Sequence, residues 1–211
     1  MKKINHADSR TKIVSIGSSS KKAGKSTLAS YLVRELGADF GLKVSCGDEH
    51  APARAITTDP DVISQPGTDT GALVAAGARV VLWVNTGRAN LGKEINRALG
   101  MFPAGGLLVT EGNSVLANLE ADFAVFLMNV PFEAFKPSAF PALSRADLVL
   151  VDRGGPLGTV AQEQLEREIR ERAGAAGIIS YDDDSGRTLA WGETARLISR
   201  RLALQVKENH P

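Results

Sequence analysis

Short apolar runs alternate with segments of helical periodicity along most of the chain, and this alternation constrains the fold more than any other feature. The runs at 80–84 and 123–128, for example, have the length of buried strands and are far too short to cross a bilayer. Strands that are apolar throughout, with helices between them, are typical of a parallel sheet that helices cover on both faces. We therefore predict an α/β fold with a mostly parallel sheet of about seven strands.

The same patterns predict the individual elements. Strands are predicted at 12–16, 42–46, 79–84, 106–110, 122–128, 147–151 and 177–181. Helices are predicted at 25–37, 70–76, 90–99, 159–173 and 193–206. A long loop over 47–67 is rich in Pro, Asp, Thr and Gly. Because residues 1–11 are polar and lack periodicity, we predict a flexible tail followed by one domain over 12–211.

The charge balance and the cysteine count exclude several classes of protein. The 211 residues include 25 Lys and Arg against 24 Asp and Glu, so the formal net charge is +1. A chain so close to neutrality lacks the broad basic surface that binds nucleic acid. The one cysteine, Cys46, rules out an intramolecular disulfide, a Cys-rich zinc site and an iron–sulfur cluster held by this chain. No targeting or membrane-crossing segment is visible, so we expect a cytoplasmic protein with neither a nucleic-acid nor a membrane partner.

The segment 17–27, Gly-Ser-Ser-Ser-Lys-Lys-Ala-Gly-Lys-Ser-Thr, lies after the first predicted strand and opens the first predicted helix. This is the context of a nucleotide phosphate loop, in which backbone N–H groups and a helix N-terminus hold an anion. Gly24 would let the backbone pass close to the phosphates, and Lys25 could reach the β- and γ-phosphates. The Ser26 hydroxyl could coordinate Mg²⁺.

This loop departs from the usual pattern, which is Gly, four residues, then Gly-Lys-Ser/Thr. Ser19 occupies the first Gly position, and Gly17 lies two residues too early. The alternative is a glycine-containing turn that only caps a helix. Lys21 and Lys22 either add charge near the phosphates or are solvated loop lysines. The predicted nucleotide-binding residues of the loop are Ser20, Lys21, Lys22, Ala23, Gly24, Lys25, Ser26 and Thr27.

A phosphate loop of this kind works with Mg²⁺ and an acidic residue at the end of a neighbouring strand. Glu111 ends the apolar run at 106–110, and Asp48 follows the strand at 42–46. Because the C-terminal ends of parallel strands face the ligand, either carboxylate could hold a metal-bound water or orient a nucleophile. Asp69 either caps the helix at 70–76 or reaches the water shell of the metal. For Glu111 and Asp48, the alternative is a solvated loop acid.

Four segments, in this order, resemble the MobB group of P-loop proteins, the adaptors of molybdopterin guanine dinucleotide synthesis. They are the loop at 20–27, the strand 42–45 leading to Asp48-Glu49-His50, the segment 66–70 with 75–78, and the segment 108–112 ending in Glu111-Gly112. The third is the most specific, because many families share the phosphate loop. The resemblance covers about residues 12–130.

The resemblance implies an accessory protein that binds GTP with Mg²⁺, hydrolyses it slowly and forms a homodimer. Its partners would be a molybdopterin compound and the nucleotidyltransferase that attaches a nucleotide to it. By position, the phosphate and Mg²⁺ would be held by Gly24, Lys25, Ser26 and Thr27. The metal would be surrounded by Asp48, Asp69 and Glu111. The candidate catalytic residues are Lys25, Glu111 and Asp48.

The sequence departs from this family at two places. Asn113-Ser114 follow Glu-Gly where the family has an aromatic residue and a lysine, and the His-rich loop is reduced to His50. Related GTPases read guanine with Asn-Lys-x-Asp after a late strand, but here that strand ends in Asp152-Arg153. Asp152 could still accept hydrogen bonds from a guanine edge, so both GTP and ATP stay open as the nucleotide.

Three other functions are compatible with the loop. A small-molecule kinase or ATPase would place its acceptor over the loop at 47–67, with Glu111 or Asp48 as the base. A metal-delivery GTPase is disfavoured, because the chain has neither a Cys-x-Cys-Cys motif nor a His-rich tract. A partition-type ATPase normally carries a second lysine early in the loop, and Ser20 occupies that place here, next to Lys21. We therefore expect weak NTPase or phosphotransferase activity.

Overall fold

The computed structural model describes residues 10–47, 55–129, 131–155 and 158–204. Its described strands are β1 (Lys12–Ser18), β2 (Phe40–Cys46), β3 (Ile56–Thr57), β4 (Val80–Thr86), β5 (Leu107–Glu111), β6 (Phe123–Met128), β7 (Leu148–Asp152) and β8 (Gly177–Tyr181). They form one sheet in the order β3-β4-β2-β5-β1-β6-β7-β8. Within the described ranges every neighbouring pair is parallel except β3 and β4. The predicted α/β fold with a mostly parallel sheet is confirmed.

Helices connect these strands. They are α1 (Lys25–Leu36), α2 (Pro60–Ile63), α3 (Asp69–Ala75), α4 (Leu91–Leu99), α5 (Asn113–Asn118), α6 (Ala139–Leu143), α7 (Thr159–Ala173) and α8 (Asp184–Leu202). Short 3₁₀ turns occupy Arg88–Asn90 and Phe132–Ala134. In the described part of the chain, none of the helices combines the length and the apolar character needed to span a membrane.

The helices bury both faces of the sheet. On one face, Leu28 and Leu32 of α1 join a core with Ile16 of β1, and α3 and α8 contribute to the same cluster. On the other face, α4 and α5 pack over β2, β4 and β5, while α6 and α7 pack over β6 and β7. Apolar side chains therefore alternate between two cores along each central strand, which is why these strands are apolar throughout.

The predicted elements agree with the structure within a few residues at most boundaries, and four of the differences have a local cause. The sheet has eight described strands, because β3 adds a two-residue antiparallel edge within the predicted 47–67 loop, which also contains α2. Helices α5 and α6 are too short for a 3.6-residue period to be visible. The last helix begins at Asp184 rather than 193, because the Asp183 carboxylate accepts the Gly186 N–H at 2.7 Å and caps it.

The predicted tail lies mostly outside the described residues, which begin at Arg10. Arg10 forms an ion pair with Asp122, and the Thr11 hydroxyl donates to the Gly105 carbonyl at 3.1 Å. Residues 10 and 11 therefore contact the loops that precede β5 and β6. The flexible tail over the preceding residues stays a prediction.

Candidate phosphate-binding site

The loop between β1 and α1 lies at the C-terminal edge of the sheet, next to the ends of β5 and β6. Gly24 precedes α1 with a φ of 85°, a left-handed conformation that favours glycine. It offers no side chain to cap the helix, and the first turn of α1 contains no acidic residue. The N–H groups at the start of α1 are therefore available to an external anion.

An asparagine holds the start of the loop. The Asn113 side-chain oxygen accepts the Ser18 N–H at 2.8 Å, and its nitrogen donates to the Ser18 carbonyl at 2.9 Å. Asn113 is buried and begins α5, directly after Gly112. The first side chain of α5 thus pairs with both backbone groups of Ser18 and sets where the loop leaves β1.

A second asparagine explains the serine found where the usual loop has its first glycine. Ser19 is fully buried, and its hydroxyl donates to the Asn129 side-chain oxygen at 2.9 Å while accepting the Asn129 N–H at 3.1 Å. The Ser20 hydroxyl donates to the same oxygen at 2.9 Å. Because Asn129 directly follows β6, the two serines tie the loop to that strand. The departure from the usual pattern therefore has a structural role.

Lys25, the first residue of α1, lies over this loop. Its ammonium donates to the Ser18 hydroxyl at 3.0 Å. Burial lowers the pKa of Lys25, and the nearby Lys43 ammonium lowers it further, while the carboxylates of Glu111 and Asp69 act in the opposite direction. Among the described residues, the hydroxyl of Ser18 is the one hydrogen-bond partner of this partly buried ammonium, which is therefore suited to bind a phosphate oxygen.

Two carboxylates meet beside Lys25 and share one cation. The Ser26 hydroxyl donates to Asp69 Oδ1 at 2.5 Å, and the other oxygen of Asp69 binds the Lys43 ammonium. Lys43 also binds Glu111 Oε1 at 2.7 Å. Lys43 and Glu111 are neighbours in the register of β2 and β5, so they lie side by side on one face of the sheet. The N-terminus of α3 is thereby linked to two strands and to α1.

Glu111 is fully buried at the end of β5, and its position depends on the following glycine. Gly112 has a φ of 134°, and a Cβ atom there would lie 2.6 Å from the Val44 carbonyl oxygen, so only glycine fits. Glu111 Oε2 is buried and has no hydrogen-bond partner among the described residues. A buried carboxylate oxygen without a partner costs free energy, which a bound cation or a donor from a ligand would recover.

The neighbouring charges and hydrogen bonds determine whether the pKa values of Asp69 and Lys43 are raised or lowered. Burial acts to raise the pKa of Asp69, but hydrogen bonds from Lys43 and Ser26 outweigh burial and hold that pKa below its ordinary value. Burial acts to lower the pKa of Lys43, but Glu111 and Asp69 together outweigh it and raise the pKa. Asp69 and Lys43 therefore stay charged near neutral pH.

The donor set of this cluster fits Mg²⁺. One hydroxyl and two carboxylates are hard oxygen ligands, and Mg²⁺ in nucleotide sites is held by few protein ligands plus phosphates. In the described ranges, no group of three or more His, Cys, Asp or Glu side chains could hold a metal by itself. The cluster is thus suited to a metal that arrives with phosphate oxygens, and Lys43 is the cation that now neutralises its carboxylates.

A further lysine approaches the loop from the segment between β6 and α6. The Lys136 N–H donates to the Ser19 carbonyl at 3.4 Å, and its half-buried side chain lies near Lys25, Lys21 and Lys43. Burial and, to a smaller extent, repulsion by these three lysines together lower the pKa of Lys136 to about 8.

The other predicted site residues are placed as follows. Lys21, Lys22 and Thr27 are exposed in or next to the loop, and Ala23 is partly buried against the core under α1. Asp48, with Glu49 and His50, lies outside the described residues, so its predicted catalytic and metal-binding roles stay predictions.

Asp152 ends β7, two strands away from β1 in the sheet. Its Oδ1 accepts the Gly154 N–H at 3.1 Å, and its Oδ2 lies 3.5 Å from an Arg187 guanidinium nitrogen. It contacts neither Lys25 nor Ser26, as expected for a residue that would read the base rather than the phosphates. If Asp152 reads guanine, its carboxylate would have to bind both Arg187 and the edge of the base.

Sequence reasoning missed four residues that contact or approach the loop. They are Lys43, Asn113, Asn129 and Lys136. Lys43 carried a signal, since it is a charged residue inside an apolar strand, and Asn113 was visible only as a departure after Glu-Gly. For Asn129 and Lys136 we find no local signal, because they lie more than a hundred positions from the loop.

Two solved structures of the hydrogenase maturation factor HypB resemble this chain over nearly its whole length. HypB from Archaeoglobus fulgidus has a TM-score of 0.60 at 17% identity, over 93% of this chain and 92% of that one. HypB from Helicobacter pylori, in complex with nickel, has a TM-score of 0.56 at 15% identity, over 96% and 93%. No protein-family model and no curated protein matches the chain. At these identities the likeness concerns the fold, and the chain has the same α/β fold as these two structures.

Proposed function

We propose that the chain binds a nucleoside triphosphate together with Mg²⁺ at the loop between β1 and α1. One observation carries the proposal. The loop, Lys25, Ser26 and the two carboxylates of Asp69 and Glu111 converge at one edge of the sheet, although they are spread over more than eighty positions. This is the edge at which open parallel sheets bind their ligands.

In this proposal, the N–H groups at the start of α1 and the Lys25 ammonium bind the phosphates. Ser26, Asp69 and Glu111 would hold Mg²⁺, with Asp48 as a further candidate ligand. The metal would neutralise charge on the phosphates. Lys25, Glu111 and Asp48 are the candidate catalytic residues. The weak NTPase or phosphotransferase activity that we expect needs little more than this positioning of charges.

For the base, we propose guanine, read by Asp152. A carboxylate can accept two donors from a guanine edge, whereas adenine offers no matching pair of donors. Asp152 lies at the end of β7, and Arg187 is its charged neighbour. A preference for ATP over GTP in binding would contradict this part of the proposal and leave the phosphate site unaffected.

We further propose an accessory role like that of the MobB adaptors, with a molybdopterin compound and its nucleotidyltransferase as partners, in the cytoplasm and as a homodimer. Two of the four segments that carry this resemblance, those with Asp69 and Glu111, support it. They lie together in the structure, because both carboxylates bind Lys43. Retention of a molybdopterin compound by the GTP-loaded protein is the result that we expect. If GTP binds tightly and no molybdopterin species does, this role is wrong.

A small-molecule kinase or ATPase on the same fold is the second candidate. Glu111 Oε2, which has no hydrogen-bond partner among the described residues, favours it, because such an oxygen could accept the proton of an acceptor hydroxyl. The two candidates differ in turnover. A kinase consumes ATP rapidly only when its acceptor is present, whereas an adaptor hydrolyses its nucleotide slowly whether or not a metabolite is added.

The shared core of both candidates is tested by Lys25→Ala. We expect this variant to lose nucleotide binding, by at least about a hundredfold, because an ammonium bound to phosphate oxygens makes strong charge-assisted hydrogen bonds. Calorimetry with GTP, ATP and Mg²⁺ measures the affinity, and circular dichroism checks the fold. Lys93→Ala is the matched control, since Lys93 is exposed on α4. Unchanged affinity in Lys25→Ala would refute the phosphate-loop proposal.

A further inference from the structure

Lys136 differs from every other lysine near the loop in how it is placed. It belongs to the segment between β6 and α6, and its backbone N–H donates to the carbonyl of Ser19 inside the loop. Ser19 is in turn held by Asn129, which precedes this segment. The segment and the first half of the loop are therefore one hydrogen-bonded unit, so Lys136 keeps a defined position relative to the loop.

The described charged groups that act on Lys136 are all cations. Its charged neighbours are Lys25, Lys21 and Lys43. Within the described ranges, its ammonium has no hydrogen bond and no ion pair with any acidic side chain. Lys43, by contrast, is bound by two carboxylates, and Lys25 lies within the field of the same two.

A half-buried ammonium that faces only other ammonium groups is destabilised by desolvation and by repulsion. Among the described residues, Lys21, Lys25, Lys43 and Lys136 interact electrostatically at this loop, and Lys22 is a further exposed lysine in it. The carboxylates that act on them are those of Asp69 and Glu111, so cations outnumber acids here, on a chain whose formal net charge is only +1. An arrangement of this kind is stabilised when an anion enters.

We propose that Lys136 binds a phosphoryl group at this loop, as a second phosphate lysine that the segment after β6 supplies. The inference deepens the proposed nucleotide-binding function and rests on it. The backbone N–H groups of the loop and Lys25 hold a phosphate from the side of α1, and Lys136 approaches from the side of β6. Two sources have the required chemistry. One is the terminal phosphate of the bound triphosphate, and the other is a phosphate of a second substrate.

The experiment compares the full-length protein with Lys136→Ala, Lys136→Arg and the control Lys93→Ala. Calorimetry at pH 7 with Mg²⁺ gives the affinities for the nucleoside triphosphate and for the diphosphate. If Lys136 binds the terminal phosphate, Lys136→Ala weakens triphosphate binding by about tenfold or more and diphosphate binding by less than about twofold. Lys136→Arg restores part of the loss, because it retains the charge. Lys93→Ala leaves both affinities unchanged.

A second arm distinguishes the two sources. Inorganic phosphate is titrated into the protein with the diphosphate bound. If a second substrate supplies the phosphate, Lys136→Ala leaves triphosphate binding unchanged but loses the binding of inorganic phosphate by about tenfold. Equal losses for triphosphate and diphosphate, or no loss in either arm, would overturn the inference.

Failure of the proposed function gives a different result. If the folded wild-type protein binds neither nucleotide, the proposed nucleotide-binding function is wrong. The role of Lys136 is then tested by the affinity of the protein for inorganic phosphate alone. Phosphate binding that is lost in Lys136→Ala would support the inference for a non-nucleotide ligand, and equal binding by the two proteins would overturn it. Thermal unfolding of each variant confirms that it is folded. No loss of stability is expected, because the side chain of Lys136 has no partner among the described residues and its backbone hydrogen bonds are retained.

Discussion

Lys43 and Lys136 reach the same loop from opposite sides of β1, and their electrostatic surroundings are opposite. Lys43, on β2, binds the carboxylates of Asp69 and Glu111, and the pKa of Lys43 is raised. Lys136, after β6, faces three lysines, and its pKa is lowered to about 8. Burial acts to lower the pKa of both residues. The sign of the neighbouring charges therefore decides which ammonium is stabilised in the free protein and which one is stabilised only by a ligand.

This difference divides the site into two halves. On the β5 side, Lys43 is paired with the carboxylates of Asp69 and Glu111, so its ammonium is stabilised without a ligand and could be exchanged for a metal. On the β6 side, Lys136 has no acidic partner among the described residues, so this half gains stability when an anion binds. The predictions below test this division, from the largest expected effect to the smallest.

The largest effect is expected for Lys43→Met. Removing the ammonium leaves the fully buried Glu111 carboxylate without its cation, so the free energy of unfolding should fall by about 3 kcal/mol. Urea unfolding at pH 7 measures the change. Lys136→Met is the matched variant and should lose no stability. Equal losses for the two variants would remove the distinction between a paired and an unpaired lysine.

Magnesium should distinguish the same two variants. In Lys43→Met, Mg²⁺ can replace the missing charge between Asp69 and Glu111, so millimolar Mg²⁺ should raise the melting temperature by about 4–6 °C without any nucleotide. Wild type and Lys136→Met should shift by much less. In Lys43→Met combined with Glu111→Gln, the shift should disappear. A shift that survives in this double variant would place the metal elsewhere.

The pH dependence of triphosphate binding should report on Lys136. Only its protonated form binds a phosphoryl group, and its pKa in the free protein is about 8. Affinity should therefore be constant below pH 7 to 8 and fall by about tenfold by pH 9. Lys136→Gln should lack this fall, although the neighbouring Lys25, Lys21 and Lys43 remain. Calorimetry across this range measures the difference, and identical profiles would contradict the assignment.

The smallest effect concerns the stability of the free protein. Because the pKa of Lys136 is lowered from 10.5 to about 8 on folding, the unfolded chain holds this proton more tightly between those values. Below pH 8 the native state therefore carries a disfavoured charge, and that destabilisation is relieved as pH rises from about 8 towards 10.5. Lys136→Gln should raise the melting temperature at pH 7 by about 1–2 °C. The gain should vanish near pH 10, as differential scanning calorimetry would show.

The fold was predictable because its determinants are local. The apolar runs that become β1, β4 and β6 are long enough to identify as strands, and α1 and α7 have a clear helical pattern. Helices α5 and α6 were not predictable, because fewer than two turns give too little periodicity. The start of α8 was misplaced, because the helix begins at the Asp183 cap and not at the predicted position 193.

The candidate site was predictable only where a motif names its residues. The motif at 17–27 identifies Lys25 and Ser26 as site residues. Asp69 and Glu111 were candidates because Asp69 precedes the predicted helix at 70–76 and Glu111 follows the predicted strand at 106–110. The structure brings these four residues together, and their roles in catalysis and metal binding stay predictions. The asparagines that hold the loop, and the two lysines that flank it, belong to no motif, since their meaning depends on strands that are neighbours in space only.

The sequence by itself determined the fold class and the position of the proposed phosphate loop, because hydrophobic periodicity and glycine placement act over a few residues. Only the tertiary structure decided the electrostatics of the site. The strand order places β5 and β6 on either side of β1. One of these neighbours brings Glu111 to Lys43, and the other is followed by Lys136 beside the lysines of the loop. Charge interactions depend on distance and burial rather than on sequence separation. A chain that is nearly neutral overall can therefore have, among its described residues, one lysine paired with two carboxylates and another that faces lysines, around a single loop.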